Sequence, residues 1–120
     1  MREILIALGI AGSLAALVVL GRMPFPGALA TGAWMIGGGL LVGVPAGVLY
    51  HVALYRAVRR HAEIPRGWLW RPTELHVLVP EEERRGFLPP FLVGAAACGI
   101  IFLGCAVIFM AAIGEIRRPY

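Results

Sequence analysis

The stretch ILIALGIAGSLAALVVLG, residues 4–21, holds 18 consecutive residues without a charged side chain. A helix of that length extends about 27 Å, close to the roughly 30 Å of a membrane hydrocarbon core. A cleaved signal peptide is the alternative, because Ala28-Leu29-Ala30 resembles a cleavage site. The run is longer than the usual signal-peptide core of about 7–15 residues, and Arg22 separates it from that site. We therefore expect a retained membrane-spanning helix.

A second uncharged run covers residues 23–55 and is longer than one straight span requires. It opens with MPFPG, whose two prolines predict a turn. Trp34 and Tyr55 lie 21 positions apart, which is about 32 Å along a helix. This spacing fits two aromatic side chains at opposite membrane interfaces. The second span is therefore predicted at about residues 31–56.

A third uncharged run covers residues 86–114, and Pro89-Pro90 near its start predicts a span over about residues 91–113. The tail GEIRRPY then supplies two arginines and a tyrosine for the opposite interface. Together the three runs predict an all-α integral membrane protein. Residues 1–120 would form a single membrane domain with three transmembrane helices.

Charge is concentrated between the second and third runs. Of the 18 charged residues, 12 lie between Arg56 and Arg85, in a chain that is 59% hydrophobic and only 15% charged. An average soluble domain is about 25% charged, so this composition excludes an ordinary soluble enzyme. Residues 57–88 are predicted to form a charged, interfacial connector. Within it, PEEERRG has the start and stop signals of a short surface helix.

The arginines predict an orientation in the membrane. All 11 basic residues are arginine, and eight of them lie at the N-terminus or in and beside the connector. The positive-inside rule therefore places the N-terminus and the connector in the cytoplasm and the C-terminus outside. The expected location is a bacterial inner membrane. Anionic lipids, rather than nucleic acid, are then the natural partners of the basic side chains.

Three glycines in the second span, Gly39, Gly43 and Gly47, are spaced four residues apart. This spacing forms a flat helix face that another helix backbone can approach closely. Ala7, Ala11 and Ala15 form a similar face on the first span. The glycine motif predicts helix packing, but it leaves open whether the partner helix belongs to this chain or to another subunit.

His51 is the one ionisable residue well inside a predicted span, and Tyr55 and Arg56 follow about one turn later. Intramembrane ionisable groups are functional candidates by default. His51 is either a neutral ring hydrogen-bonded to backbone or to a neighbouring helix, an axial ligand to a haem or pigment metal, or a contact to a quinone or lipid headgroup. No other span contains histidine, so we expect no cofactor to be bound by this chain alone.

The connector carries exposed-type aromatic and basic side chains in alternation. The triplet WLW is bounded by arginines, which fits a segment at the level of lipid headgroups. Tryptophan and arginine are also frequent anchors of protein interfaces. The residues predicted to dock a partner or lipid are Arg59, Arg60, Trp68, Trp70 and Arg71.

The sequence offers little for catalysis. It has no Asp, only one Ser, no Glu inside a predicted span and no recognisable nucleophile or metal-binding motif. Cys98 and Cys105 are seven residues apart on the third span and are expected to be small buried apolar side chains. We predict neither a metal site nor enzymatic activity.

The combined pattern predicts a small accessory subunit of a larger membrane complex, such as a respiratory or photosynthetic electron-transfer assembly. Its partners would be larger membrane subunits and lipids. One alternative is a membrane anchor in which His51 contributes to a haem, pigment or quinone site. Another is a homo-oligomer, such as a small channel, although no polar stripe lines any span.

Overall fold

The computed structural model describes residues 1–117, except for the side chain of Arg2. Within this range there are only helices, turns and irregular segments. The α-helices are α1 (Arg2–Leu20), α2 (Phe25–Arg59), α3 (Glu81–Arg84) and α4 (Leu88–Ile116), and two short 3₁₀ helices cover Trp68–Trp70 and Pro72–Leu78. Three of these helices, α1, α2 and α4, are long and apolar enough to cross a membrane. The predicted all-α fold class with three candidate spans is confirmed.

Prolines account for the main difference between predicted and observed helix starts. α2 begins at Phe25, six residues before the predicted start, and α4 begins at Leu88, three residues before it. Pro26, Pro89 and Pro90 therefore lie in first turns. Proline is compatible with that position because an N–H in the first turn has no partner within the helix.

Two helices also extend beyond their predicted membrane spans at the C-terminal end. α2 continues to Arg59 and α4 to Ile116, each three residues past the predicted end of the span. The connector observed between α2 and α4 is consequently residues 60–87 rather than 57–88. The last three residues of the predicted interfacial tail, 118–120, lie outside the described residues.

The chain divides into two compact units, which are described separately. One combines Met1–Gly39 with the chain from Gly99 onward, and the other is Leu40–Cys98. In the first unit, a small core of Ala28, Val107 and Ala111 is covered by side chains that include Leu17 and Leu20 of α1.

The rest of α1 has almost no protein around it. Within its apolar stretch Glu3–Leu20, no residue is buried. The predicted small-residue face of Ala7, Ala11 and Ala15 is exposed along its whole length. In this structure the face therefore does not pack against α2 or α4.

Small residues allow α2 and α4 to approach closely within the first unit. A methyl group added at Gly104 would lie 2.9 Å from the Gly32 carbonyl oxygen and 3.0 Å from Met35 Cβ. Both distances are shorter than normal carbon contacts, so Gly104 is needed where the two backbones meet.

The second unit contains the larger core. Its buried members come from the end of α2 and from the connector, including the connector's last residue before α4. They are Tyr50, Leu54, Ala57, Val58, Leu75, Val79 and Phe87. The charged connector therefore contains a folded apolar core. It covers one side of the last turns of α2.

The glycine motif of α2 packs within the chain in this unit. A methyl group on Gly43 would lie 3.0 Å from Ala97 Cβ, and one on Gly94 would lie 3.9 Å from Gly47 N. Gly43 thus lies close to a small residue of α4, whereas a methyl group on Gly47 would have no neighbour within 4 Å outside its own helix. Gly39, in the other unit, is buried.

The structure tests two local predictions, one in the connector and one in α4. The short helix predicted at PEEERRG forms as α3, although Pro80 precedes the first helical residue instead of occupying it. The prediction that Cys98 and Cys105 are buried is wrong, because both side chains are exposed on α4. Their spacing of seven residues places them on one face of α4.

Candidate functional site

An open cavity of about 660 Å³ lies beside the last turns of α2, within the second unit. This volume falls in the range of about 300–1,000 Å³ typical of sites that hold small molecules. The cavity is lined by apolar and aromatic side chains, His51, Val52, Tyr55, Trp68 and Leu69, and by Arg56, Arg59 and Arg60. The three predicted cofactor-site residues are therefore brought together with three of the predicted docking residues.

His51 is held in one orientation by the backbone of its own helix. Its Nδ1 lies 2.8 Å from the Gly47 carbonyl oxygen. A carbonyl oxygen only accepts hydrogen bonds, so Nδ1 is the donor and carries the proton of the neutral ring. Nε2 is then the unprotonated nitrogen and can accept a hydrogen bond or bind a metal.

Trp68 forms the wall of the cavity that the connector contributes. Its ring centroid lies 5.9 Å from that of His51 and 5.6 Å from that of Tyr55. The chain reaches this position through Gly67, whose φ of 81° is the left-handed conformation that glycine adopts without steric cost. The connector thus supplies one aromatic wall and α2 the other.

The arginines at the rim are arranged in the last two turns of α2 and just beyond it. Neither Arg56 nor Arg59 forms an ion pair with a carboxylate in the described part of the chain. Arg60 Nη1 lies 3.8 Å from Glu83 Oε2, too far for a hydrogen bond. Cations at a helix C-terminus are favoured by the negative end of the helix dipole. At the rim, Arg60 is therefore paired with Glu83, whereas Arg56 and Arg59 present positive charge without a carboxylate partner among residues 1–117.

No known family model, curated protein or solved structure matches this chain. Within residues 1–117, there is no group of three or more His, Cys, Asp or Glu side chains arranged to hold a metal ion. His51 is the one histidine among the residues that line the cavity.

The predicted docking residues separate into two groups. Arg59, Arg60 and Trp68 line the cavity, whereas Trp70 and Arg71 line a second cavity that Trp68 also borders. Trp70 is 91% exposed, and Arg71 pairs with Glu74 at 3.7 Å. Trp68 is therefore the predicted docking residue that the two cavities share.

A partly buried polar pair was not predicted from the sequence. The Tyr50 hydroxyl and His76 Nε2 are joined by a hydrogen bond of 2.7 Å. Phe87 and Phe91 surround both rings, with centroids between 4.9 and 6.2 Å away. Burial, together with the nearby positive charge of Arg84, lowers the pKa of His76 below its ordinary value. This hydrogen bond links the connector to α2.

Glu83 of α3 provides a second attachment. His61 Nε2 lies 3.1 Å from Glu83 Oε1, and Arg84 Nε donates to the Val79 carbonyl oxygen at 3.0 Å. The sequence signal for these links is weak, because a glutamate in EEERR resembles any other surface charge. Tyr50 and His76 are 26 residues apart, and only a folded connector brings them together.

Proposed function

We propose that this chain is a small, non-catalytic accessory subunit of a larger membrane complex, such as a respiratory or photosynthetic electron-transfer assembly. In this proposal α1, α2 and α4 cross a bacterial inner membrane, with the N-terminus and connector in the cytoplasm and the C-terminus outside. The observation that supports this proposal is the exposed surface of α1. Lipid alone can cover an apolar helix, but small residues on an exposed face let another transmembrane helix pack closely against it.

The contacts of α1 support a role in assembly. Leu17 and Leu20, at the end of the helix, pack against the core of the first unit, whereas the preceding turns have exposed side chains. Small residues at Ala7, Ala11 and Ala15 would let another helix approach the backbone of α1 closely. A neighbouring subunit would therefore bind along this face.

Co-purification from native membranes tests the proposal. The tagged chain, expressed in its host and extracted in mild detergent, should bring other membrane subunits with it in fixed ratio. Ala11→Ile should reduce this recovery, since the larger side chain blocks close approach. Ser13→Ile is the matched control, because it adds the same side chain roughly 200° around the helix. Purification of the wild-type chain alone, or equal loss in both variants, would contradict the proposal.

Reporter fusions test the orientation separately. Alkaline phosphatase fused to the C-terminus should be active, because that enzyme folds outside the cytoplasm. Green fluorescent protein fused to the N-terminus should fluoresce, and the same protein fused to the C-terminus should not. The reverse pattern would contradict the orientation without affecting the accessory role.

A second candidate function is a membrane anchor in which His51 contributes to a haem, pigment or quinone site. It is favoured by the hydrogen bond from Nδ1 to the Gly47 carbonyl oxygen, since this arrangement leaves Nε2 free and orients it. An absorption spectrum of the protein purified from native membranes should then contain a haem or pigment band that His51→Ala removes. His61→Ala is the control. Spectra without such a band, identical in all three proteins, would rule out the metal-ligand role.

A further inference from the structure

The cavity beside α2 combines a cationic rim with an aromatic interior. We propose that it binds one anionic phospholipid, whose phosphate group lies between Arg56 and Arg59 and whose glycerol and upper acyl region lies against Tyr55 and Trp68. The proposal depends on the membrane insertion described under the proposed function. It does not depend on membership of a complex.

The order of side chains along α2 matches the polarity of a phospholipid. His51, Val52 and Tyr55 come first, and the three arginines follow toward the end of the helix. From His51 to Arg59 the helix rises about 12 Å. In the proposed orientation, the apolar lining is nearer the hydrocarbon core and the arginines are at headgroup level. A phospholipid in the bilayer changes from apolar to charged in the same direction.

The charges favour an anionic lipid over a zwitterionic one. No carboxylate lines the cavity, and Arg56 and Arg59 have no acidic partner among residues 1–117. A guanidinium group can donate two parallel hydrogen bonds to a phosphate. The ammonium or choline group of a zwitterionic lipid would find positive charge and no carboxylate. Phosphatidylglycerol, whose headgroup adds only hydroxyls, is therefore the better match.

The interior of the cavity matches the part of the lipid just below its phosphate. Trp68 and Tyr55 provide aromatic surfaces, which are favoured at the boundary between headgroup and acyl chain. All of these groups are contributed by the second unit alone.

Native mass spectrometry of the full-length chain tests the proposal. The detergent-purified protein would be mixed with equal amounts of phosphatidylglycerol and phosphatidylcholine. We expect a single retained phosphatidylglycerol, favoured over phosphatidylcholine by at least about tenfold, because placing a second positive charge beside the arginines is costly. Excess inorganic phosphate should not displace it, because the apolar part of the lipid also contributes to binding. Equal retention of the two lipids would overturn the proposal.

Charge-matched variants separate this cavity from general surface charge. Arg56→Gln combined with Arg59→Gln should abolish the preference. Arg66→Gln combined with Arg71→Gln removes the same charge outside the cavity and should preserve it. Equal loss in both double variants would overturn the proposal. If circular dichroism shows that the first double variant is misfolded, Arg59→Lys replaces it. Lysine keeps the charge but cannot form the two parallel hydrogen bonds to the phosphate, so several-fold weaker retention of phosphatidylglycerol is expected. Unchanged retention would overturn the proposal.

The outcomes are distinguishable from those of the proposed function. A chain that purifies without other subunits but retains phosphatidylglycerol would contradict only the accessory role. A chain that brings subunits with it but shows no lipid preference would contradict only the lipid site.

Discussion

The first part of α1 and the charged connector differ in how far their apolar side chains are buried. Residues 4–15 of α1 are exposed, although nearly all are apolar. The connector, residues 60–87, contains most of the charged side chains, yet Leu75, Val79 and Phe87 are among the most buried residues. Hydrophobicity therefore does not predict burial within the chain here. An apolar helix can use lipid as its solvent, whereas apolar side chains in a polar connector must form their own core.

The largest effect is expected from truncating a large side chain in the connector core. Phe87 is 1% exposed, so Phe87→Ala should lower the free energy of unfolding by about 3–5 kcal/mol through lost burial and the cavity left behind. Phe102→Ala, at a site 70% exposed, removes the same atoms and should have little effect. Detergent–denaturant unfolding followed by circular dichroism measures both. Equal losses would mean that the connector core contributes no special stability.

Glycine substitutions extend the comparison to helix contacts. Gly104→Ala should destabilise the first unit by about 1–3 kcal/mol, since the new methyl group meets the Gly32 backbone. Gly9→Ala in α1 and Gly99→Ala in α4 add a methyl group with no atom within 4 Å. Both controls should be neutral or slightly stabilising, because alanine favours helix. Thermal unfolding of the three variants in one detergent decides the matter, and a tolerated Gly104→Ala would contradict the close approach.

A smaller effect is expected from the polar contact beneath the connector. Tyr50→Phe removes the hydroxyl bonded to His76 and leaves a half-buried imidazole without that partner, at a cost of about 1 kcal/mol. Tyr55→Phe removes a hydroxyl that has no hydrogen-bond partner in the described chain, so stability should be unchanged. The same unfolding assay compares them. A larger loss for Tyr55→Phe would point to a contact outside this chain.

The smallest effect is a dependence on pH. Because the pKa of His76 is lowered in the folded chain, the unfolded chain takes up the proton first as the pH falls. Stability should be fully present above the ordinary histidine pKa of 6.5 and decline as the pH falls from there through the lowered pKa. His76→Gln should reduce the difference in unfolding midpoint between pH 7.5 and pH 5. An undiminished difference would assign the pH effect to other groups.

The three long helices could be predicted from uncharged length alone, because a span needs only enough apolar residues. The residues at which these helices start could not be predicted, because a proline is compatible both with the end of one helix and with the first turn of the next. Pro26 and Pro89 illustrate this ambiguity. The exposure of Cys98 and Cys105 was also missed, since a uniformly apolar helix gives no periodicity to separate its inner face from its outer face.

The candidate cavity was partly predictable. His51, Tyr55 and Arg56 share one helix, and their spacing alone places them near one another. Trp68 joins them only because Gly67 turns the chain back toward α2, and Tyr50 meets His76 only through the connector core. Such contacts between distant residues leave no local pattern in a single sequence.

The connector core has a consequence for synthesis. Phe87 follows Tyr50 by 37 residues, and at about 5–20 residues per second a ribosome needs roughly 2–7 s to add them. During that interval Leu54 and Val58 have been made but their partner Phe87 has not. The end of α2 is therefore uncovered when it first emerges. Any factor that recognises apolar surface in a nascent chain has those seconds to bind it before the connector closes.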